Sequence, residues 1–420
     1  MDILDGSYLI AIGLAGGVAS ALRRGLPLGW RLRLEARPPE DLKAGWIWLH
    51  AVSVGELMLA DPLVGRLRAL GHRVHVTTGT PAGLELLQKR LPGWDGGSGQ
   101  VSGGAFPVDD PRGLAPFLLH SPGAFVALET ELWPNLLREL ERRNVPCCVV
   151  NGRLTARTLE KGGPWLRRAA SRLTRVAARD EASAAAFRAM GAPDVRLGGN
   201  LKADLPLPPP LHGGWARLRE AWSPFPVLVV GNTVEGEEAL LLGVWQHLKV
   251  ELPGLRLLLA PRQPRRFQEV AALFRAGGLS FRSASGPWPD LASDWEGVEA
   301  LLMDTLGELS AAYALGGVAL VGGGWNWKGG HNPLEPLRWG VPTLIGPGFE
   351  NFEDLVFPLR EAGLLQVVEV DALETEIRRI FERGPQGKAP PLPMALQGAV
   401  ERTMTILKEV LPRPDKYTNL

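Results

Sequence analysis

The sequence predicts an α/β protein with two parallel sheets, each covered by helices on both faces. Short apolar runs alternate with helical stretches from residue 46 onwards, and most of these runs are continuously apolar. Strands of a parallel sheet have this composition because helices bury both of their faces. A proline-rich segment near the middle of the chain separates the runs into two series. We therefore predict two doubly wound halves of about 200 residues each.

Each half contains apolar runs of strand length, separated by turns and helical stretches. In the first half they cover 46–52, 73–78, 105–108, 124–128, 147–150, 175–178 and 195–197. In the second half they cover 227–230, 255–259, 280–282, 300–303, 318–321, 343–345 and 365–370. Residues 201–225, between the two series, are rich in proline at 206 and 208–210, which is typical of a linker.

These patterns divide the chain into five segments. They are an N-terminal membrane-anchor or interfacial segment (1–35), a first α/β domain (36–205), a linker (206–225), a second α/β domain (226–393), and a closing helix with a tail (394–420). The closing helix is predicted from the helical spacing of apolar residues such as Leu396, Val400 and Met404.

The N-terminal segment is apolar on all sides and carries no charge over residues 6–22. A helix that spans a bilayer needs about 20 residues, so the length is marginal. Acidic residues precede the segment, and the basic residues that follow it are Arg23, Arg24, Arg31 and Arg33. By the positive-inside rule, this asymmetry keeps the rest of the chain in the cytoplasm. We expect a membrane attachment here, and the alternative is a buried core helix.

Composition excludes several classes of protein. With 46 basic and 45 acidic residues the net charge is +1, which argues against binding to nucleic acid. The only cysteines are the adjacent Cys147 and Cys148, which indicates a reducing compartment and no structural zinc. The sequence lacks a P-loop, a GxGxxG turn after the first strand and a GxSxG motif. We predict no metal and no cofactor.

Ligands of open parallel sheets bind beyond the carboxyl ends of the strands, so polar residues there are candidates. In the first half, Ser53 and Glu56 form a Ser-x-x-Glu capping box after the first run. Glu56 is either a helix cap or a general base, and the nearby His50 either contacts it or is satisfied within its strand. Glu129 and Glu131 follow the fourth run and need a cation or an acceptor hydroxyl, unless they form a surface turn.

In the second half, a glycine-rich turn with glycines at 322–324 and 329–330 leads to a predicted helix with Asn332 as N-cap, Pro333 at the first position and Glu335 at the third. Free N–H groups and the helix dipole favour an anion at such a place, so this turn is a candidate phosphate cradle. Arg262, at another strand end, would add a positive charge beside it. The alternative is a capped helix without a ligand.

Taken together, these motifs resemble the ordered signatures of the bacterial Kdo (3-deoxy-D-manno-octulosonic acid) transferase family. The motifs lie at 50–56, 129–135, 151–154, 199–202, 261–262, 304–308 and 329–335, in the order found in that family. The resemblance implies a GT-B fold, with two Rossmann-like domains and the active site in the cleft between them. The first domain would bind the acceptor, and the second would bind the donor CMP-Kdo.

The resemblance also implies the reaction, which is transfer of Kdo from CMP-Kdo to a lipid A precursor with inversion at the anomeric carbon. The enzyme would act on the cytoplasmic side of the inner membrane, without a metal. Glu56 would be the general base, and Glu129 and Lys202 would stabilise the transition state. The residues that would bind CMP are Pro261, Arg262, Leu306, Gly307, Glu308, Asn332, Pro333, Leu334 and Glu335.

The sequence departs from the family pattern at the second half's first helix, where Asn232-Thr233-Val234 replaces the common Ser-Thr-His. Gln263 likewise replaces a common histidine, and both changes place some donor contacts in doubt. One alternative is another GT-B glycosyltransferase that uses a different nucleotide-sugar on a membrane lipid. Others are a sugar-nucleotide epimerase and a binding protein without activity. Trp325 and Trp327 have no predicted role.

Overall fold

The computed structural model describes residues 25–161, 163–208, 213–384 and 390–413. Within these ranges the chain forms two compact units. The first comprises the residues up to 205 and those from 398 onwards, and the second comprises the residues between 206 and 397. Each unit contains one seven-stranded sheet, and all strand pairs in the described residues are parallel. The predicted α/β fold class is confirmed.

The sheet of the first unit has the strand order β3-β2-β1-β4-β5-β6-β7. Its strands are β1 (Ile47–His50), β2 (Val74–Thr78), β3 (Val101–Ala105), β4 (Ala124–Leu128), β5 (Cys147–Gly152), β6 (Arg175–Ala178) and β7 (Val195–Leu197). Its helices are α1 (Leu28–Glu35), α2 (Val54–Ala69), α3 (Pro81–Asp95), α4 (Pro111–Leu119), α5 (Pro134–Arg142), α6 (Ala156–Lys161), α7 (Gly163–Ala170), α8 (Glu181–Met190) and the C-terminal helix (Ala399–Lys408).

The sheet of the second unit has the order β10-β11-β9-β8-β12-β13-β14. Its strands are β8 (Val227–Thr233), β9 (Arg256–Pro261), β10 (Phe281–Ser283), β11 (Ala300–Leu302), β12 (Val318–Val321), β13 (Thr343–Ile345) and β14 (Leu365–Val367). Its helices are α9 (Gly214–Trp222), α10 (Glu237–Glu251), α11 (Phe267–Ala276), α12 (Leu309–Ala312), α13 (Leu334–Leu337), α14 (Glu353–Glu361) and α15 (Leu373–Arg383).

Apolar side chains fill both faces of each sheet, as the continuous apolar runs require. In the first unit, Trp48 of β1 stacks on Phe117 with ring centroids 4.9 Å apart and meets Phe125 edge-on at 5.5 Å. In the second unit, β8 and β9 at the sheet centre pack against α10 and α11. The carboxyl ends of these central strands carry the candidate functional residues.

One strand lies elsewhere than predicted. The run 105–108 was expected as the third strand, but β3 spans Val101–Ala105 and includes Gly103 and Gly104. A β-carbon at Gly103 would lie 2.9 Å from the Val76 carbonyl oxygen, so this edge strand needs glycine and has no apolar run. Phe106 follows the strand, and its ring stacks on His50 at 3.8 Å.

The described part of the predicted linker is partly helical. Helix α9 occupies Gly214–Trp222 and buries Trp215, Leu218 and Trp222 in the second unit. The two tryptophans and the leucine are spaced three and four residues apart, which gives the helix an apolar face. The C-terminal helix (Ala399–Lys408) packs on the first unit.

The predicted membrane segment, residues 6–22, lies outside the described residues. Across the described ranges, no helix combines the length and the apolar character needed to cross a bilayer.

Candidate functional site

The first group of candidates lies at the carboxyl end of β1, where Ser53 caps helix α2. The Glu56 amide donates to the Ser53 hydroxyl at 3.4 Å, as the capping box predicts. The carboxylate of Glu56 turns back and accepts from the Val52 amide at 2.6 Å, and its other oxygen lies 3.2 Å from the Ser53 hydroxyl. These contacts hold the carboxylate in one orientation at the strand end.

Burial raises the pKa of Glu56 to about 7. The hydrogen bond from the Val52 amide opposes this shift, and the negative charge of Glu129 adds to it. A carboxylate with a pKa near neutrality retains affinity for a proton at neutral pH, as a general base requires. The cap and the base are therefore compatible roles for the same side chain.

Glu129 and Lys202 come together at the neighbouring strand ends of the first unit. The Lys202 ammonium lies 4.0 Å from a Glu129 carboxylate oxygen, and both side chains are about one-fifth exposed. Lys202 belongs to a 3₁₀ turn, Leu201–Asp204, which is tied to β5 because the Asn151 side chain accepts from the Leu201 amide at 2.9 Å. The three sequence-predicted catalytic residues thus belong to one cluster.

The carboxyl ends of three strands carry a non-glycine residue with left-handed backbone. The φ value is 58° at Glu129, directly after β4. It is 51° at Asn151, near the end of β5, and 58° at Asn232, near the end of β8. Asparagine tolerates the left-handed region, whereas for glutamate it costs roughly 1–2 kcal/mol. Strained backbone of this kind is enriched at functional sites. Asn151 was not predicted as a site residue, although its place at a strand end within a family motif is a sequence signal.

Glu131, which the sequence singled out beside Glu129 but to which the resemblance assigned no role, is a third carboxylate of the cluster. Burial raises its pKa to about 8, and the charge of Glu56 contributes to the shift. Its carboxylate lies 3.8 Å from the Nε2 atom of His50. His50 is fully buried, which lowers its pKa to about 3, and its Nδ1 lies 3.0 Å from the Thr77 carbonyl oxygen. The neutral His50 therefore faces Glu131, and it is also hydrogen-bonded within the sheet.

Arg33 was predicted to flank the membrane segment, and α1 places it against the same cluster. Its guanidinium lies 4.8 Å from the centroid of the Trp133 ring, and it donates to the Pro107 carbonyl at 3.1 Å. The positive charge of Arg33 partly opposes the rise in the pKa of Glu131. Within the described residues, no three His, Cys, Asp or Glu side chains converge as metal ligands would.

The second group of candidates lies at the carboxyl ends of β9, β11 and β12 in the second unit. Arg262 directly follows β9, with an exposed side chain, and its amide donates to the Thr233 carbonyl at 2.9 Å. Burial, together with the charge of Arg262, lowers the pKa of His331 to about 4. Leu306 is 68% exposed, and Glu308 accepts from the Trp215 indole at 3.1 Å.

The predicted helix after the glycine-rich turn begins later and is shorter than expected. Helix α13 spans Leu334–Leu337, with Pro333 rather than Asn332 as its N-cap. The Asn332 side chain still accepts from the Leu334 amide at 3.2 Å, and its amide group lies 3.4 Å from the Glu335 carboxylate. A turn over 338–340 leads promptly into β13, which limits the helix to about one turn.

The first part of the glycine-rich turn, at 322–324, is not open to a phosphate. The Glu237 carboxylate accepts from the amides of Gly323 at 2.7 Å and Trp325 at 2.9 Å. An acidic side chain of the chain itself therefore occupies this group of N–H donors. The candidate ligand contacts that remain in this region are Arg262 and the residues from Asn332 onwards.

Comparisons with known proteins point to the same family that the motifs resemble. A family model described as 3-deoxy-D-manno-octulosonic-acid transferase (kdotransferase) matches residues 28–205. The chain is 34% identical over 384 residues to the 3-deoxy-D-manno-octulosonic acid transferase of Haemophilus influenzae, covering 87% of both chains. It is 36% identical over 344 residues to the enzyme of the same name from Bordetella pertussis, covering 79% of this chain and 78% of that one.

Among solved structures, the chain is similar to a Listeria monocytogenes protein described as a UDP-N-acetylglucosamine 2-epimerase. The TM-score is 0.61 at 12% identity, over 88% of this chain and 98% of that one. The epimerase from Methanocaldococcus jannaschii gives a TM-score of 0.53 at 12% identity, over 88% and 100%. At this identity the likeness concerns the fold alone, and it agrees with the two-domain α/β GT-B fold.

Proposed function

The chain belongs to the 3-deoxy-D-manno-octulosonic acid transferase family of glycosyltransferases, and from this premise we propose that it transfers Kdo from CMP-Kdo to a lipid A precursor. The observation that carries the proposal is the carboxylate of Glu56, which is fixed at a strand end and has a pKa of about 7.

In the proposed reaction, Glu56 accepts the proton of the acceptor hydroxyl as its oxygen attacks the anomeric carbon of Kdo. The bond from that carbon to the phosphate oxygen breaks, and CMP leaves with the electron pair. A single displacement inverts the configuration at the anomeric carbon. A positioned general base contributes about 10²–10⁴-fold to such a step.

Glu129 and Lys202 act on the charges of the transition state. Glycosyl transfer develops positive charge at the anomeric carbon, and the Glu129 carboxylate stabilises it. Lys202 pairs with Glu129 at 4.0 Å and brings a positive charge to the anionic groups of the donor sugar. The partial exposure of both side chains is compatible with contact to a substrate.

The donor is held by residues of the second unit. Arg262 has an exposed guanidinium at the end of β9, and it stabilises the charge that develops on the leaving phosphate. The other proposed CMP contacts are Pro261, Leu306, Gly307, Glu308, Asn332, Pro333, Leu334 and Glu335. The Glu335 carboxylate accepts hydrogen bonds, as recognition of ribose hydroxyls requires.

We further propose that residues 6–22 attach the enzyme to the cytoplasmic face of the inner membrane, where a lipid acceptor is present. The apolar segment and the arginines after it support this proposal. Removal of residues 1–22 should move the protein from the membrane fraction to the soluble fraction. Equal membrane partitioning of the full chain and the shortened chain would contradict the attachment.

The function is tested by incubating the purified protein with CMP-Kdo and a tetraacylated disaccharide acceptor. Mass spectrometry of the lipid product should show the added mass of one or more Kdo residues. The same assay with UDP-sugars tests the alternative glycosyltransferase, and a product formed only from a UDP-sugar would overturn the proposed donor. Conversion of a nucleotide-sugar without an acceptor would favour the epimerase.

A further inference from the structure

Glu237, the first residue of helix α10, is fully buried and its carboxylate faces backbone amides. It accepts from Gly323 at 2.7 Å, from Trp325 at 2.9 Å and from Asn326 at 3.4 Å, all in the loop that follows β12. A fourth donor is the Val234 amide, at 3.1 Å. Within the described residues, no Lys or Arg side chain forms an ion pair with it.

Successive backbone amides that converge on one point form an anion-binding nest. Left empty in a buried place, these N–H groups would be costly, and so would an unpaired carboxylate. In this structure the loop amides and the Glu237 carboxylate satisfy each other, because the carboxylate takes the position that an external anion would take. The loop conformation and the charge of Glu237 therefore depend on each other.

Further backbone hydrogen bonds fix the loop that Glu237 holds, and the loop precedes the proposed donor contacts in the sequence. The Gly330 amide donates to the Gly323 carbonyl at 2.8 Å, and the Gly348 amide donates to the Gly324 carbonyl at 2.9 Å. A β-carbon at Gly322 would lie 2.8 Å from the Glu237 carboxylate, so the turn fits closely around it. The next residue along the chain after Gly330 is His331, and Asn332 follows.

We propose that Glu237 is a positioning residue for donor binding, because it acts as an internal anion that fixes the loop 323–330 and so orients Asn332 and the residues after it. This inference rests on the proposed function, since it assigns the loop to the CMP-Kdo site. It also implies that the donor phosphate is not bound by the amides of Gly323 and Trp325.

Glu238 provides a matched control in the adjacent position. It is also buried, with 1% of its surface exposed, but its carboxylate forms two 3.1 Å hydrogen bonds with the Arg266 guanidinium. It lies on the same helix as Glu237, one position further along. Both Glu237→Gln and Glu238→Gln remove a buried negative charge, but only the first replaces an oxygen that accepts from the loop amides by an NH2 donor.

The first test is hydrogen–deuterium exchange on the full chain without ligand. The backbone amides of residues 322–332 should exchange faster in Glu237→Gln than in wild type. The reason is that the NH2 group of the glutamine would face the N–H donors of the loop. Glu238→Gln should leave exchange of this segment unchanged, even if it lowers the melting temperature. Unchanged exchange in Glu237→Gln, or equal acceleration in both variants, would overturn the positioning role.

The second test measures CMP affinity by calorimetry and the KM values for both substrates. Glu237→Gln should weaken CMP binding and raise the KM for CMP-Kdo by about tenfold or more, as found when a group that orients a contact residue is lost. The KM for the acceptor should change less than twofold, and Glu238→Gln should bind CMP like wild type. If the two variants lose CMP affinity equally, the effect is general destabilisation and the inference is wrong.

The two tests separate this inference from the proposed function. If wild type neither binds CMP nor transfers Kdo, the proposed function fails, while the exchange experiment still decides whether Glu237 fixes the loop. If Glu237→Gln does not unfold cooperatively, Glu237→Asp takes its place. The aspartate keeps the charge but is one methylene too short to reach the loop amides, so the same faster exchange and weaker CMP binding are expected.

Discussion

At the scale of single residues, the Glu56 carboxylate combines a capping contact with a chemical role. The Val52 and Ser53 contacts orient it, while burial raises its pKa towards neutrality. The Ser-x-x-Glu spacing predicted the capping contact, because a capping box is a local sequence pattern. The contact of His50 with Glu131 was not predictable in the same way, since it depends on side chains from strands far apart in the chain.

Replacing the proposed base tests its role directly. Glu56→Gln should lower kcat by about 10²–10⁴-fold, because the amide cannot accept the proton of the acceptor hydroxyl. The amide oxygen can still accept from the Val52 amide, so the melting temperature should stay close to that of wild type. CMP binding, measured by calorimetry, should be unchanged. Retention of full transfer activity would exclude Glu56 as the base.

The pH dependence of transfer should have an acidic limb near the pKa of Glu56, which is about 7. The base works only when ionised, so kcat/KM should fall as pH drops below this value, by up to tenfold per pH unit. Because the charges of Glu56 and Glu131 interact, the apparent pKa of this limb belongs to the two carboxylates together and not to Glu56 alone. The negative charge of Glu129 raises the pKa of Glu56, so Glu129→Gln should move the limb to lower pH. A rate that stays constant between pH 5 and 8 would contradict this assignment.

Glu131 should also make the stability of the protein depend on pH. Its pKa is about 8 in the folded protein and about 4.5 as the ordinary value, so folding favours the protonated form. The stability contributed by the protonated group is present below pH 4.5 and is lost as pH rises towards 8. The melting temperature of wild type should therefore fall more between pH 5 and 9 than that of Glu131→Gln. The exposed Glu361 offers a control, since Glu361→Gln should follow wild type.

At the scale of elements, prediction succeeds where the element has a local signal. Five strands have the predicted bounds, because each is a short, mostly apolar run between turns: β4, β6, β7, β12 and β13. Strand β3 was displaced because an edge strand with two glycines has no such run. Helix α13 was expected to be longer, since capping residues indicate where a helix begins but not where the next strand ends it.

The two glycines of β3 provide a matched pair for testing this edge. A β-carbon at Gly103 would lie 2.9 Å from the Val76 carbonyl and 3.0 Å from the Leu87 side chain, whereas one at Gly104 would meet nothing within 4 Å. Gly103→Ala should lower the free energy of unfolding by about 1–3 kcal/mol, the usual cost of overpacking. Gly104→Ala should be neutral or stabilising in the same urea titration. If both substitutions change the free energy of unfolding equally, the close approach to the Val76 carbonyl at Gly103 is not the reason for the glycine there.

At the scale of the whole molecule, the two series of apolar runs predicted the two sheets correctly, because each sheet is built from consecutive runs. The interrupted first unit is a feature that composition could not reveal. Its C-terminal helix follows the entire second unit in sequence, yet the Asp204 carboxylate accepts from the amides of Gly398 at 3.0 Å and Val400 at 2.7 Å. These are contacts between residues almost 200 positions apart, and they have no local sequence pattern.

The C-terminal helix should therefore support the first unit rather than the second. Met404 is 1% exposed and packs in the core of the first unit, so Met404→Ala leaves a cavity and should lower the free energy of unfolding of that unit by about 2–5 kcal/mol. The exposed Lys408 lies on the same helix, and Lys408→Ala should change little.

Because a two-unit protein need not unfold in one step, each unit is followed separately. Hydrogen exchange should increase over β1, β4 and β5 in Met404→Ala, while calorimetry should show CMP binding unchanged. Faster exchange in β8 and β9 instead would assign the helix to the second unit.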